Sequence, residues 1–388
     1  MWLATILLDY LQAQLSKDSA LSVTDNQAVY QQLSMLIESA PVHDKADWAA
    51  HMTSAVDEQA FIGHILAGQH HGNLLSAELY PQLSEIERQV MAFFCPLFGQ
   101  SYAHATHGGS YANLEALWQA RKQFGAYSKT VYASDQCHYS ITKACDILEL
   151  NLQLIPSNNQ QQIDIHHLEK ACKQLAPMAI IGTIGTTSSG QIDDVPQISQ
   201  VVARYPCWLH LDAAWGGFLS LVDTTMAETT FSQADSVCFD PHKSLGVPRP
   251  CSLLLYQKPP LYSQASTSYL QQTPRDVLPG SYGAELLLPL WLMLKLQGKA
   301  GLAARIQSTL QQAKLFTDYL TTQEGWWVQH SPTAIVCFTP PNNIALTELV
   351  RHGVFSTTTL QQKTVYRAVF AGQHVRSNAL VRALAPFL

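Results

Sequence analysis

The chain has 388 residues, 47% of them hydrophobic and 13% charged, with a formal net charge of −6. That is enough apolar sequence for a large core and more than one ordinary domain length, while the acidic balance and the lack of any long Lys/Arg run argue against nucleic acid or an anionic membrane as a partner. The eight cysteines show neither CxxC pairs nor the density of a secreted disulfide scaffold, which fits reduced thiols in a cytoplasmic protein.

The chain opens with MWLATILLDYLQAQL, in which Trp2, Leu3, Ile6, Leu7, Tyr10 and Leu11 fall on one face at helical spacing. Asp9 interrupts the apolar run and no basic residue precedes it, so an amphipathic helix is expected rather than a signal peptide or a membrane span. From Lys129 to Tyr256 short apolar runs alternate with helical ones. The strands expected are KTVYAS (129–134), LQLIP (152–156), MAIIGTIG (178–185), CWLHLDAAW (207–215), SVCFD (236–240) and CSLLLY (251–256), with helices near 139–149, 165–175 and 195–205. This is an α/β pattern with a mostly parallel sheet covered on both faces. After a Pro/Gly-punctuated stretch from Pro259 to Gly280, residues 284–297 and 302–322 read as helices. Two strand-like runs follow, AIVCFTP (334–340) and VYRAVFA (365–371), and a last helix from about Ser377. The expected organisation is an N-terminal helical segment over residues 1–60, a large α/β domain over 61–298 and a small α+β domain over 299–388.

Open α/β sheets bind ligands at the carboxyl ends of their strands. Thr186-Thr187, Asp212 and the turn Asp240-Pro241-His242-Lys243 all fall there. A lysine on a solvated loop needs no such framing, whereas one that forms a Schiff base needs a fixed position and neighbours that lower its pKa. Asp212 lies thirty-one residues before Lys243, close to one strand–helix–strand step, so both can reach one crevice. Taken alone, an aspartate at a strand end is a helix cap. In company with Lys243 it suits pyridoxal phosphate, which needs a lysine, an acid at the pyridine nitrogen, a stacking ring and a phosphate cradle. THGGSYANLEALWQARK (106–122) offers the cradle, with Gly108, Gly109 and Ser110 opening a helix whose N–H groups favour an anion. His138, just beyond an expected strand, is the stacking candidate, although a lone histidine is more often structural.

Together the motifs THGGSYAN, SDQCHYSITKA, GTTSSGQIDDV, WLHLDAAWGGF and ADSVCFDPHKSLGVPRPCSLLLY resemble those of the group II pyridoxal-phosphate amino-acid decarboxylases, in the same order, over roughly residues 64–300. The resemblance implies the fold-type I, aspartate-aminotransferase-like architecture, a homodimer with a shared active site, and an L-amino acid as substrate. It makes Lys243 the Schiff-base lysine, with His242 and Asp240 as its cofactor-side neighbours. Asp212 would pair with the pyridinium, Ala214 would lie below the ring and His138 above it. Gly109, Ser110 and Ser281 would bind the cofactor, with Thr187 beside it. Arg367, in VYRAVFAG, would hold the substrate carboxylate, its alternative being a surface arginine on an edge strand. His70, His71 and Asn73 are candidates for the substrate side; no third ligand makes His70-His71 a metal pair.

The family's mobile loop carries a tyrosine that helps protonate the product. The corresponding stretch here, SYLQQTPRDVLPGSYGAELLLPLW, is short; Tyr269 matches an upstream position and Tyr282 is nearby without being clearly equivalent. An aldehyde product, another pyridoxal-phosphate reaction (transamination or a lyase) and a non-catalytic sensor are therefore the alternatives to decarboxylation. Trp118, Trp215 and Phe218 read as core.

Overall fold

The computed structural model describes residues 9–10, 12–13, 23–39, 43–261, 277–278, 280–341 and 344–387. The helix expected at the N-terminus, and Tyr269, fall largely or wholly outside these. The chain divides into two compact units, Met1–His43 and Asp44–Leu388. In the first, α1 (Val23–Glu38) leaves Met35, Leu36 and Ile37 exposed.

The second unit is built on a seven-stranded sheet of β1 (Tyr102–Thr106), β2 (Thr130–Ser134), β3 (Asn151–Ile155), β4 (Ala179–Thr183), β5 (Trp208–Asp212), β6 (Ser236–Phe239) and β7 (Ser252–Tyr256), in the order β1-β7-β6-β5-β4-β2-β3. The run from β3 to β6 is parallel, and β7 is antiparallel to both its neighbours. β1 was not among the expected strands, because YAHAT carries a histidine in its middle and has an exposed start. The other six follow the apolar runs; five of them are buried on both faces, which needs apolar residues at nearly every position, while β3 is an exposed edge strand.

Alternation along the strands sends side chains to two cores. Val131, Ala133, Ile181 and Leu254 pack with α4 (Gly109–Phe124) and α5 (Tyr139–Ile147), whereas Tyr132, Ile180, Leu209, Leu253 and Leu255 pack with α3 (Pro81–Leu97) and the first half of α9 (Ala284–Thr321). The helices α2 (Glu58–His70), α6 (Ile165–Gln174) and α7 (Val195–Val202) begin on Asp57, Asp164 and Asp194, whose carboxylates accept from the first free N–H groups. Asp193, also buried, caps no helix and instead accepts from Ile163 N and Thr183 N, both at 2.7 Å, which pins the end of β4. Burial raises its pKa to about 6 despite those two donors.

α9 is interrupted at Gly298, whose φ of 63° is non-helical. Beyond it lies a second, antiparallel sheet of β8 (Trp327–His330), β9 (Ile335–Thr339), β10 (Ser356–Leu360) and β11 (Lys363–Val369), ordered β10-β11-β9-β8. Phe316, Phe338, Phe355 and Phe370 form its core with Leu380 of α10 (Ser377–Leu384). β9 and β11 are legible as apolar runs; β8 and β10 are not, since both lie at the sheet edges and neither is an unbroken buried apolar run.

Candidate active site

The carboxyl ends of β4, β5 and β6 open onto a cavity of about 270 Å³. It is lined by Gly109, Ser110, His138, Thr187, Asp212, Ala214, Asp240, His242 and Lys243, nine of the residues singled out in the sequence. Lys243 stands on the one-turn helix α8 (Pro241–Ser244), which Asp240 begins and Pro241 starts without an N–H to satisfy. Its Nζ is 3.2 Å from Asp240 Oδ2. Ser54 Oγ donates to the Lys243 carbonyl at 2.6 Å, fixing the turn from the far side.

The electrostatics of Lys243 run opposite to the sequence expectation. Burial alone disfavours the ammonium, but Asp240 and Asp212 outweigh it, and the pKa of Lys243 is raised. Asp212 is in the same balance: burial pushes its carboxyl up, while Lys243 and the Asn113 amide pull it below the ordinary range. Lys243 and Asp212 thus each favour the charged form of the other.

The start of α4 faces the cavity. Gly108 precedes the helix at φ 96° and gives it no side-chain cap, and Tyr111 N–H turns back to the Gly108 carbonyl at 3.0 Å, so among the described residues the N–H groups of Gly109 and Ser110 are open. A Cβ on Gly109 would stand 2.9 Å from Asp240 Oδ2 and 3.3 Å from Ala214 Cβ, so only glycine lets this backbone approach the cavity floor. His242 donates from Nδ1 to the Cys251 carbonyl at 2.6 Å, leaving Nε2 3.7 Å from Asp240. Two buried oxygens on the cavity wall, Asp240 Oδ1 and Thr183 Oγ1, have no hydrogen-bond partner among the described residues. A polar ligand with an anionic end fits this donor and acceptor set.

Four residues escaped the sequence reading. Asn113 Nδ2 donates to Asp212 Oδ2 and to Ser140 Oγ, both at 2.9 Å. His210, fully buried, has Nε2 2.9 Å from Asn113 Oδ1 and Nδ1 2.8 Å from Ser236 Oγ; burial lowers its pKa to about 4, so it is neutral. The signals existed: His210 precedes Asp212 by two on a strand and shares its face, and Asn113 follows Gly109 by one helical turn. Ser140 Oγ in turn lies 2.8 Å from His138 Nδ1.

Two predicted residues lie elsewhere. Ser281 does not line this cavity; Asn73 Nδ2 donates to its Oγ at 3.1 Å, and both line a separate hollow with His71 and Tyr282. The bridge between Asn73 and Gly283 holds that stretch there. Arg367 is 8% exposed and sits behind the cavity wall, donating to the Thr187 carbonyl, to Ser356 Oγ at 3.0 Å and to the Ala50 carbonyl at 3.3 Å. His70 packs against the Tyr80 ring. Tyr282 is buried, its hydroxyl 3.4 Å from Glu87. Trp215 and Phe218 are core, though Trp215 also reaches the cavity. Among the described residues no His/Cys/Asp/Glu cluster could hold a metal ion, and no helix is long and apolar enough to cross a membrane.

Residues 9–340 match the pyridoxal-dependent decarboxylase conserved domain. The chain is 28% identical over 344 residues to the aspartate 1-decarboxylase of Aliivibrio fischeri, covering 74% of this chain and 62% of that protein. It is 30% identical over 331 residues to the human cysteine sulfinic acid decarboxylase, covering 74% and 66%. The chain therefore spans about two thirds of the length of these relatives. The crystal structure of mouse CSAD superimposes with a TM-score of 0.83 at 22% identity, over 98% of this chain and 91% of that one, which establishes the shared fold-type I architecture. With the cavity's lysine, aspartate and glycine-opened helix fitting the cofactor, the chain belongs to the pyridoxal-dependent decarboxylase family, and its cofactor is pyridoxal 5'-phosphate.

Proposed function

We propose that this protein decarboxylates an L-amino acid to its amine. The observation that carries this is the convergence of Lys243, Asp212, His138 and the open N-terminus of α4 on one cavity. When bound, pyridoxal phosphate supplies an electron sink for the carbanion left by carbon dioxide. Lys243 would carry the cofactor, and Asp212, kept ionised by its buried partners, would hold its ring nitrogen protonated. Gly109, Ser110 and the first-turn N–H groups of α4 would bind the phosphate, with His242 and Asp240 beside them. Ala214 and His138 would enclose the ring, and Thr187 would border it.

Arg367 suits the carboxylate role. A guanidinium has five N–H donors; the protein uses Nε and one hydrogen on each terminal nitrogen. The two left over, one on each terminal nitrogen, would serve a carboxylate. Arg249 lines the cavity itself and donates to Thr53 Oγ1 at 3.2 Å. A cation there favours an acidic side chain, and the relatives named for aspartate and cysteine sulfinic acid make these the first substrates to try. The exposed Ile62, Ile65 and Leu66 of α2 support a homodimer interface, and the eight unpaired cysteines support a reducing, cytoplasmic setting. We also assign residues 1–60 to dimerisation, 61–298 to cofactor binding and 299–388 to a small domain, with Gly298 as the joint of the last two.

The test is to supply the pyridoxal-phosphate-loaded protein with aspartate, cysteine sulfinate and then a mixture of L-amino acids, and to identify products by mass spectrometry. One primary amine with carbon dioxide is the expected result. An aldehyde or keto acid would redirect the reaction assignment, and a bound cofactor with no product would leave a sensor.

A further inference from the structure

Behind the cavity runs a chain of hydrogen bonds whose direction can be read from its carboxylate end. Trp208, His210 and Asp212 share one face of β5, and Ser236 and Cys238 stand beside them on β6, with His210 opposite Ser236 and Asp212 opposite Cys238. At one end, Trp208 Nε1 can only donate, and it does so to Ser236 Oγ at 2.8 Å. Ser236 Oγ also meets His210 Nδ1 at 2.8 Å, and a hydroxyl with two lone pairs and one hydrogen fits either direction there. His210 Nε2 lies 2.9 Å from Asn113 Oδ1.

At the other end, an ionised Asp212 can only accept. The Asn113 atom 2.9 Å from it is therefore the amide nitrogen, and the amide oxygen faces His210 and the Cys238 thiol, 3.3 Å away. That amide oxygen can only accept, so a neutral His210 carries its single proton on Nε2 and takes the Ser236 hydrogen on Nδ1. The second amide hydrogen of Asn113 goes to Ser140 Oγ at 2.9 Å, and Ser140 Oγ lies 2.8 Å from His138 Nδ1. The Ser140 backbone N–H points at the same Nδ1, at 3.3 Å, and an N–H can only donate, so Nδ1 is the acceptor and the hydroxyl gives it its hydrogen.

We propose that Asn113 and Ser140 are positioning residues that set the charge of Asp212 and the tautomer of His138 together, so that His138 enters the reaction neutral, with Nδ1 as acceptor and its single proton on Nε2. Burial, which lowers the pKa of His138, works in the same direction. The consequence for a bound cofactor, which rests on the function proposed above, is that its ring is covered by an imidazole and not by an imidazolium competing with Asp212 for the electron sink. The tautomer itself is a property of the chain.

The test is side-chain NMR of the full-length protein labelled with ¹⁵N-histidine, with the His138 signal assigned by its loss in His138→Gln. The expected result is an unprotonated Nδ1 and a protonated Nε2 near neutral pH. Ser140→Ala should convert that signal to a mixture of tautomers and lower turnover by about five- to tenfold, the worth of one hydrogen bond, while Ser140→Thr, which keeps the hydroxyl, restores both. A wild-type signal with Nδ1 protonated, or one unchanged by Ser140→Ala, overturns the proposal. The expected wild-type signal in a protein that forms no amine would leave the relay standing and remove the decarboxylase reading instead.

Discussion

Helix α4 has two buried polar contacts two residues apart, and they behave differently. On one side Asn113 joins His210 to Asp212 and, through Ser140, to His138, so the network ends on atoms that line the cavity. On the other side Glu115 meets His104 of β1 at 2.8 Å, beside the Tyr256 ring, with both side chains almost fully buried. The first contact is wired outward to the cavity. The second ties helix to sheet edge and reaches no residue of the cavity. Similar groups, similarly buried, thus border the cavity in one place and hold helix to sheet in another, and only the ends of the network tell them apart.

Four substitutions would break or sharpen that contrast. Asp212→Asn should cost most, lowering turnover by about 10²–10³-fold, because a preorganised charge in a dry site is lost; steady-state kinetics at saturating cofactor would show it. Glu115→Ala should destabilise the fold by about 3 kcal/mol, as when one partner of a buried pair is removed, yet leave the turnover of folded, loaded enzyme within about twofold. Equal loss of turnover in both variants, measured beside urea melts, would erase the distinction. Asn113→Ala should do some of each, with about 2 kcal/mol of stability lost through unsatisfied buried groups and weaker cofactor retention on dialysis.

The smallest effect concerns pH. His210 has its folded pKa depressed below the unfolded value, to about 4, so its stabilising contribution is complete above about pH 6.5 and is lost as pH falls toward 4. The stability difference between wild type and His210→Gln should therefore shrink by roughly 1 kcal/mol between about pH 7 and 5.5. Taking the difference removes the opposing slope of Asp193, whose raised pKa lowers the stability of the fold as pH rises toward 6. A difference that stays flat with pH would mean that His210 is not neutral and that the direction assigned to its hydrogen bonds is wrong.

What the sequence revealed follows from how each signal is encoded. Strands β2 and β4 to β7 are buried on both faces and announce themselves as apolar runs, and the exposed edge strand β3 still carries three aliphatic residues, whereas β1, β8 and β10 are half-exposed and carry His, Gln and Thr. Lys243, Asp212 and His138 were legible because each sits in a motif at a strand end. Asn113, Ser140 and His210 lie in those same motifs, but their meaning depends on which partner the fold delivers: Asn113 meets His210 across 97 residues of chain. The raised pKa of Lys243 was likewise beyond reach, since it depends on two carboxylates facing the amine at once.

Arg367 belongs to the small antiparallel sheet, yet it grips backbone carbonyls at Thr187 and Ala50, far apart in sequence. Three distant parts of the chain thereby share one cation, and its rotamers are frozen when the protein folds. Under the carboxylate assignment, little side-chain entropy remains to be lost when a substrate arrives. Discrimination between an amino acid and its own decarboxylated product is then a matter of preorganisation: once the carboxylate has gone, the amine offers no anion to the fixed guanidinium, and release is favoured.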